Sequence, residues 1–289
     1  MHKKGEIMEN LKITVLAENT SACGLLCEHG LSLYLEYKGN AYLLDAGSSD
    51  LFLHNAQSLS VDLGKVKFCI LSHGHYDHAN GLEAFLAAYP DIPVYAMRSF
   101  DGEYFSNAGG MHYIGVPNSL KTVYSSRFRR ICAITQIDTG VWVVPHSTPG
   151  LTEVGKRTRL FVKCGDDYEP DGFAHELSLV FETANGLVIG SSCSHAGLLP
   201  ILTEVQNAFP GRPLYAFVGG LHMKGSRHGQ ETSLYTEEEL RQLTRDIAPF
   251  GLRHIYTGHC TGLVAYSMLE DLLGEILAPL STGMEIPIC

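Results

Sequence analysis

The segment that most restricts the possible folds is Leu71-Ser72-His73-Gly74-His75-Tyr76-Asp77-His78-Ala79-Asn80-Gly81-Leu82. Four ligand-type side chains fall within six residues. An apolar run, Val66 to Leu71, precedes them, and apolar residues at helical spacing (Leu82, Phe85, Leu86, Tyr89) follow, ended by Pro90. A strand-to-helix junction of this kind sits at a sheet edge, where loops on a rigid scaffold carry chemistry. His73 and His75, two apart in an extended turn, can aim at one metal ion. Asp77 and His78, one turn later, can aim at a second. Gly74 lets the backbone fold tightly between the pairs. Imidazoles with one carboxylate suit Zn2+, and also Fe or Mn. The competing reading, a helix start capped by Asp77 with solvated histidines, leaves the coincidence of three histidines and an aspartate unexplained.

The rest of the chain reads as strands and helices in a definite order. Leu11 to Leu16 is a first strand, and Leu31 to Tyr37 and Ala41 to Leu44 alternate as a hairpin about Lys38-Gly39-Asn40, ending at Asp45-Ala46-Gly47. Val94-Tyr95-Ala96 begins another strand. Residues 99–135 read as an irregular insertion, because of Gly109-Gly110, Pro117-Asn118 and the basic group Arg127, Arg129 and Arg130. Val141 to Val144, Arg159 to Lys163, the hairpin Leu177 to Glu182 and Leu187 to Gly190, and Leu214 to Val218 return to strand. Thr236-Glu237-Glu238-Glu239 is a capping box opening a helix with Leu240, Leu243 and Ile247 inward and Gly251 at its end. Arg253 to Tyr256 is a last strand, and a final helix starts near Leu263. This order predicts one α/β domain over 1–289, with two mixed β-sheets, helices outside, and histidines collected along one edge.

Composition narrows the function classes. The net charge of −10 argues against a general nucleic-acid binder. No run of about 18 apolar residues predicts a membrane span. Met1 to Asn10 carries two lysines without an apolar segment, unlike a secretory signal, and Met8 is an alternative start. Eight cysteines without a CxxC pair predict reduced thiols and a cytoplasmic setting.

Of the fourteen histidines, His195, His222 and His259 follow strands, after Ser194, after Gly219-Gly220-Leu221 and after Gly258 respectively. His222 reads as a substrate contact or proton donor, with metal ligation or support of a ligand as alternatives. Asp171, His175 and Glu176 could orient a metal-bound histidine, although a plain turn role is the simpler reading of each. His29 either faces the site or supports the first hairpin. Lys121, Arg127, Arg129 and Arg130 could bind an anionic substrate group, with a solvated basic face the preferred reading. His2, His54, His112, His146, His228 and His254 have no supporting pattern and read as structural or surface residues.

The cluster His73-Gly74-His75-Tyr76-Asp77-His78 resembles the HxHxDH motif of the metallo-β-lactamase superfamily, and Asp45-Ala46-Gly47 matches its earlier D-x-G turn. Ala17 to Thr20, Glu28 to Ser32, Ser72 to His78, Cys193 to Gly197, Gly219 to His222 and His259 to Gly262 resemble one subgroup, the metal-dependent hydrolases of the β-lactamase superfamily II. That subgroup includes the archaeal dihydropterin-methyl ribofuranosylaminobenzene phosphate synthases. The resemblance implies an αββα sandwich and two divalent ions held by His73, His75, Asp77, His78, His195 and His259. Cys193 stands about where the superfamily carries a bridging aspartate. It reads equally as a thiolate ligand or as a plain buried cysteine.

The site so implied is that of a metal-dependent hydrolase acting on a small, anionic or phosphorylated molecule. Asp77 and His222 would be the catalytic groups, and phosphoester, lactone, thioester and amide bonds are all open as targets. The subgroup also implies an alternative, a synthase that uses a pterin diphosphate and releases pyrophosphate. A di-iron redox protein ranks below both, since such members carry Glu where His75 stands and bind flavin in an added domain. A non-catalytic metal sensor is disfavoured by the complete opening motif.

Overall fold

Alternation along the strands sorts the apolar residues between two layers of core. Ile13, Val15, Leu33, Leu35, Phe68 and Ile70 face one cluster, whereas Leu16, Tyr34, Cys69 and Leu71 from the same strands face another. The same parity divides Leu179 and Phe181 from Val180, and Val188 from Leu187 and Ile189. Strands buried on both faces therefore read as nearly continuous apolar runs.

The computed structural model describes residues 11–21 and 23–288. The leader and alternative-start readings at Met1 to Asn10, with His2 and Cys289, lie outside the described residues.

Two seven-stranded sheets pack face to face. The first runs, in spatial order, Glu285–Ile288, Leu11–Ala17, Ser32–Tyr37, Asn40–Leu44, Val66–Leu71, Val94–Met97 and Phe128–Ile131. The second runs Leu277–Pro279, His254–Thr257, Leu214–Val218, Gly186–Gly190, Leu177–Thr183, Val141–Pro145 and Thr135–Asp138. Helices Leu51–Ser58 and Leu82–Ala88 cover the first sheet through Phe52, Phe85 and Leu86. Helices Leu198–Ala208, Glu237–Ile247 and Leu263–Leu273 cover the second through Ile201, Leu202, Leu240 and Leu269. The result is the four-layered αββα sandwich. The capping box at Thr236 is present, with Glu239 closing back on it.

Residues 99–135 are more regular than expected. Phe128–Ile131 is a parallel edge strand of the first sheet, and Tyr104–Ser106 and His112–Tyr113 join Leu160–Cys164 and Asp167–Pro170 in a four-stranded sheet. The basic group is committed to this framework. Arg127 donates to the carbonyls of Tyr89 and Ile92, Arg129 donates to Ser126 O, and Arg130 pairs with Asp101 at 2.6 Å while lying over Phe100. Local sequence showed the charges but not these partners.

His146, without a sequence pattern, is a buried structural histidine. Its Nδ1 lies 2.7 Å from Glu204 Oε2 and its Nε2 lies 2.9 Å from Ser178 Oγ, while Glu204 also accepts from Ser147 N–H and Thr148 Oγ1. Burial acts to raise the Glu204 carboxyl, but hydrogen bonds from His146, Thr148 and Ser147 outweigh it and hold the group below its ordinary 4.5. Glu204→Ala leaves the buried His146 Nδ1 without this partner and is expected to cost about 1–3 kcal/mol at neutral pH. A depressed carboxyl adds stability above its ordinary pKa and loses it as the pH falls. The gap between wild type and variant should therefore narrow below pH 4.5. Urea titrations at neutral and acid pH measure both quantities.

Candidate metal centre

The parallel strands of both sheets end on the same edge, and the candidate residues sit just beyond those ends. Asp45 follows Asn40–Leu44, and His73 to His78 follow Val66–Leu71. Cys193 and His195, then His222, then His259 follow the parallel strands Gly186–Gly190, Leu214–Val218 and His254–Thr257. The turns are sharp. Asp45, Ser194, His222 and His259 all have positive φ (59°, 57°, 47° and 49°), a region that side-chain-bearing residues occupy only when their surroundings hold them there. Gly74 is required for a different reason: a Cβ there would lie 2.2 Å from Phe100 O.

These turns gather the ligand-type atoms into two adjoining sets. The ligand atoms of His73, His75 and His195 lie within 4.8 Å of one another. In the second set, His78 Nε2 and His259 Nε2 are 3.2 Å apart, and Asp77 Oδ2 is 3.5 Å from the first and 3.3 Å from the second. His29, which sequence left open, faces this set. It stacks on His259 with centroids 4.9 Å apart and lies 3.4 Å from Asp77 Oδ2.

The outward nitrogens of these rings are tied to acceptors. His195 Nδ1 meets Glu176 Oε1 at 2.8 Å, and Glu176 also accepts from the N–H groups of His195 and Ala196. His78 Nδ1 meets Asp45 Oδ2 at 2.8 Å. Ser72 Oγ lies 2.6 Å from the same carboxylate oxygen and donates to it, which leaves Ser72 Oγ to accept from His73 Nδ1 at 2.8 Å. His259 Nδ1 lies 3.0 Å from Asn19 Oδ1, and the His259 N–H donates to Glu18 Oε1. For the neutral rings of His73 and His195, placing the proton on Nδ1 leaves Nε2 as a lone pair aimed inward.

Four ring nitrogens at the centre lack partners among the described residues: His73 Nε2, His75 Nε2, His195 Nε2 and His222 Nδ1 are buried without a hydrogen bond. Burial, followed by the neighbouring histidines, holds His73 and His75 well below 6.5, so both rings are neutral. Buried acceptors converging on one point are costly unless a cation satisfies them, and the donor set fits two divalent metal ions. The carboxylates act alongside. Burial opposes ionisation of Asp77, but His78 and His259 hold it well below the usual carboxylate range. Burial likewise opposes a charge on His78, yet Asp77 and Asp45 raise it to about 10.

Asp171, His175 and Glu176 act beyond plain turn roles. Gly74 N–H donates to His175 Nδ1 at 2.9 Å, so His175 Nε2 carries the proton that meets Asp171 Oδ2 at 2.9 Å. Phe173 stacks on His195 with ring planes 8° apart. The supporting roles of Glu18, Asn19, Asp45 and Phe173 went unassigned in sequence. Glu18, Asn19 and Asp45 all lie in quoted motifs, whose short polar residues beside strand ends were the available signal.

A cleft of about 770 Å³ opens over the centre. His75, Asp77, Cys193, His195, His222 and Cys260 contribute to its lining, as do Arg157, Arg159 and Lys224. Arg157 is engaged by Leu234 O and Glu239 and lies over Tyr235, and Lys224 is 3.6 Å from Glu231. The exposed Arg159 guanidinium has no hydrogen bond or ion pair among the described residues. The cations at the cleft are therefore different from the four considered in sequence. Lys121, the fourth of those, lies over the Tyr113 ring.

Comparison with known proteins agrees with this architecture. Residues 26–115 match the model of the metallo-β-lactamase superfamily. The chain is 26% identical, over 96% of each chain, to a 7,8-dihydropterin-6-methyl-4-(β-D-ribofuranosyl)-aminobenzene-5'-phosphate synthase of Methanocaldococcus jannaschii. A solved metal-dependent hydrolase of the β-lactamase superfamily superimposes with a TM-score of 0.80 at 26% identity, covering 96% of this chain and 98% of the other. Zn2+-bound PqqB of Methylobacterium extorquens shares the fold at 12% identity, with a TM-score of 0.54 over 95% and 99% of the two chains. Among the described residues no helix is long and apolar enough to cross a membrane.

Proposed function

We propose that this chain, whose residues 26–115 match the metallo-β-lactamase superfamily model and whose fold matches a hydrolase of that superfamily, is a member of it and a two-ion, metal-dependent hydrolase acting on an ester-type bond of an anionic small molecule. The observation that carries the reading is the convergence of the buried, partnerless nitrogens of His73, His75 and His195 next to the cluster of Asp77, His78 and His259, under an open cleft. His73, His75 and His195 would hold one ion, and Asp77, His78 and His259 the other. Bound divalent ions, most simply Zn2+, supply Lewis acidity that polarises an electrophile and makes water acidic enough to attack near neutral pH.

The chain's own residues do the rest. Glu176, Asp45 and Asn19 hold the Nδ1 atoms of His195, His78 and His259 and so turn each Nε2 inward. Asp77 contributes negative charge at the floor of the cleft. His222, with its buried Nδ1 lacking a partner, suits transfer of a proton to the departing oxygen. Arg159 stands free at the cleft and suits a phosphate or carboxylate of the substrate. Arg159→Ala is expected to lower kcat/KM by about ten-fold or more, chiefly through KM, because the lost ion contact is made in ground and transition states alike. Steady-state kinetics on the best substrate measure the split. A fall confined to kcat would assign Arg159 a different part.

Metal analysis of the native protein, followed by a screen of phosphoesters, lactones and thioesters, tests the main reading. Two ions per chain and turnover of one class are expected. Fewer than about one ion in reconstituted protein would remove the basis of the reading. A second reading, a transferase that consumes a pterin diphosphate, is favoured by the 26% identity to the synthase over nearly the whole of both chains. Pyrophosphate release on mixing with a pterin diphosphate, without hydrolysis of the screened esters, would select it.

A further inference from the structure

Cys193 occupies the middle of the centre. Its Sγ is 3.2 Å from His78 Nε2. It also forms groups within 4.8 Å with His73 and His78, with His195 and His222, and with His259 and Cys260. Its neighbours thus include members of both proposed ligand sets. Among atoms so placed, an imidazole nitrogen has one lone pair and can serve one ion only. The other anionic group at the floor, Asp77, has its close contacts with His29, His78 and His259, all on one side. A thiolate sulfur has several lone pairs and can serve two ions at once.

We infer that Cys193 is the bridging ligand of the two-ion centre, a single thiolate shared between the ions. The inference rests on the two-ion reading above. Cys260, the neighbouring thiol, is differently committed. Its Sγ accepts the His222 N–H at 3.3 Å, lies 3.6 Å from Cys193 O, to which it donates, and shares a side-chain hydrogen bond with Cys193. Cys193 Sγ also faces ring nitrogens of both ligand sets. Cys193 carries one S–H bond, and its Sγ lies against Nε2 of His78, whose Nδ1 is tied to Asp45. Coordination breaks that S–H bond, forms sulfur–metal bonds with the sulfur electron pairs, and delivers the proton to solvent without oxidation or reduction. Charge favours the exchange, since neutral imidazoles and the Asp77 carboxylate alone set a single negative charge against two divalent ions.

Cobalt- and cadmium-loaded protein test the inference without reference to activity. Cobalt-loaded wild type should bind two ions and show a near-ultraviolet sulfur-to-cobalt charge-transfer band. Cys193→Asp should keep both ions and lose the band, and Cys260→Ser should keep the band. In cadmium NMR, both wild-type signals should be shifted by sulfur, and both should move in Cys193→Asp. If that variant does not fold, as judged by circular dichroism of the metal-free protein, Cys193→Ser is read in the same way. Two bound ions without a sulfur band, a band that survives replacement of Cys193, or a single moving cadmium signal would overturn the bridge while leaving the two-ion reading intact. Wild type that binds no ion would overturn both.

Discussion

Asp77→Asn is expected to empty one ion position and lower turnover by more than about 100-fold, above the 10–100-fold typical of changes to groups that merely support a ligand. The Asp77 carboxylate is surrounded by imidazoles, with His29, His78 and His259 nitrogens at 3.3–3.5 Å from Oδ2. The substitution keeps the shape and removes the charge that these rings, and an ion among them, would face. The fold should survive. The side chain's ion-pair contacts are with those three imidazoles, while the backbone bonds at this turn, Leu31 N–H to Asp77 O and Ala46 N–H to His78 O, do not involve it. Metal analysis, circular dichroism and steady-state rates on the same preparation measure the three consequences. Full activity with two ions in Asp77→Asn would show the ligand assignment to be wrong.

His259→Ala should remove an ion and narrow the difference in melting temperature between metal-loaded and metal-free protein, while His254→Ala should do neither. His259 meets His78 across a separation of 181 residues, so an ion shared with His78 would tie the second sheet to the first. A ligand that binds only the folded chain adds RT ln(1 + [L]/Kd), about 2.7 kcal/mol at 100 times Kd. For a domain of this size that corresponds to roughly 4–5 °C. His254 lies in the strand His254–Thr257, packed on Tyr215 and Tyr256 outside both ligand sets. Its loss should lower both melting temperatures together. Differential scanning calorimetry with and without chelator reads the gap, and equal narrowing in both variants would reduce His259 to an ordinary loop histidine.

The sequence by itself determined the layers and the opening of the site. Side-chain alternation is a local property, and it sorts the residues of Leu11–Ala17 or Leu177–Thr183 between the two faces of the strand without reference to any partner. The cluster from His73 to His78 is equally local, and so is the capping box at Thr236. Tertiary structure alone decided the pairings: Glu176 with His195, Asp45 with His78, Asp171 with His175, Arg130 with Asp101, and Cys193 between the two histidine sets. Some of these partners are near in sequence, yet spacing did not tell an orienting contact from a turn. Partner choice depends on which strand ends meet at one edge, and that follows from sheet order and register, which hydrophobic periodicity does not encode. Residues 99–135 show the same limit. Their glycines, prolines and arginines marked irregular backbone, but pairing with Val94–Met97 and Leu160–Cys164, which lie outside the segment, drew parts of it into sheets.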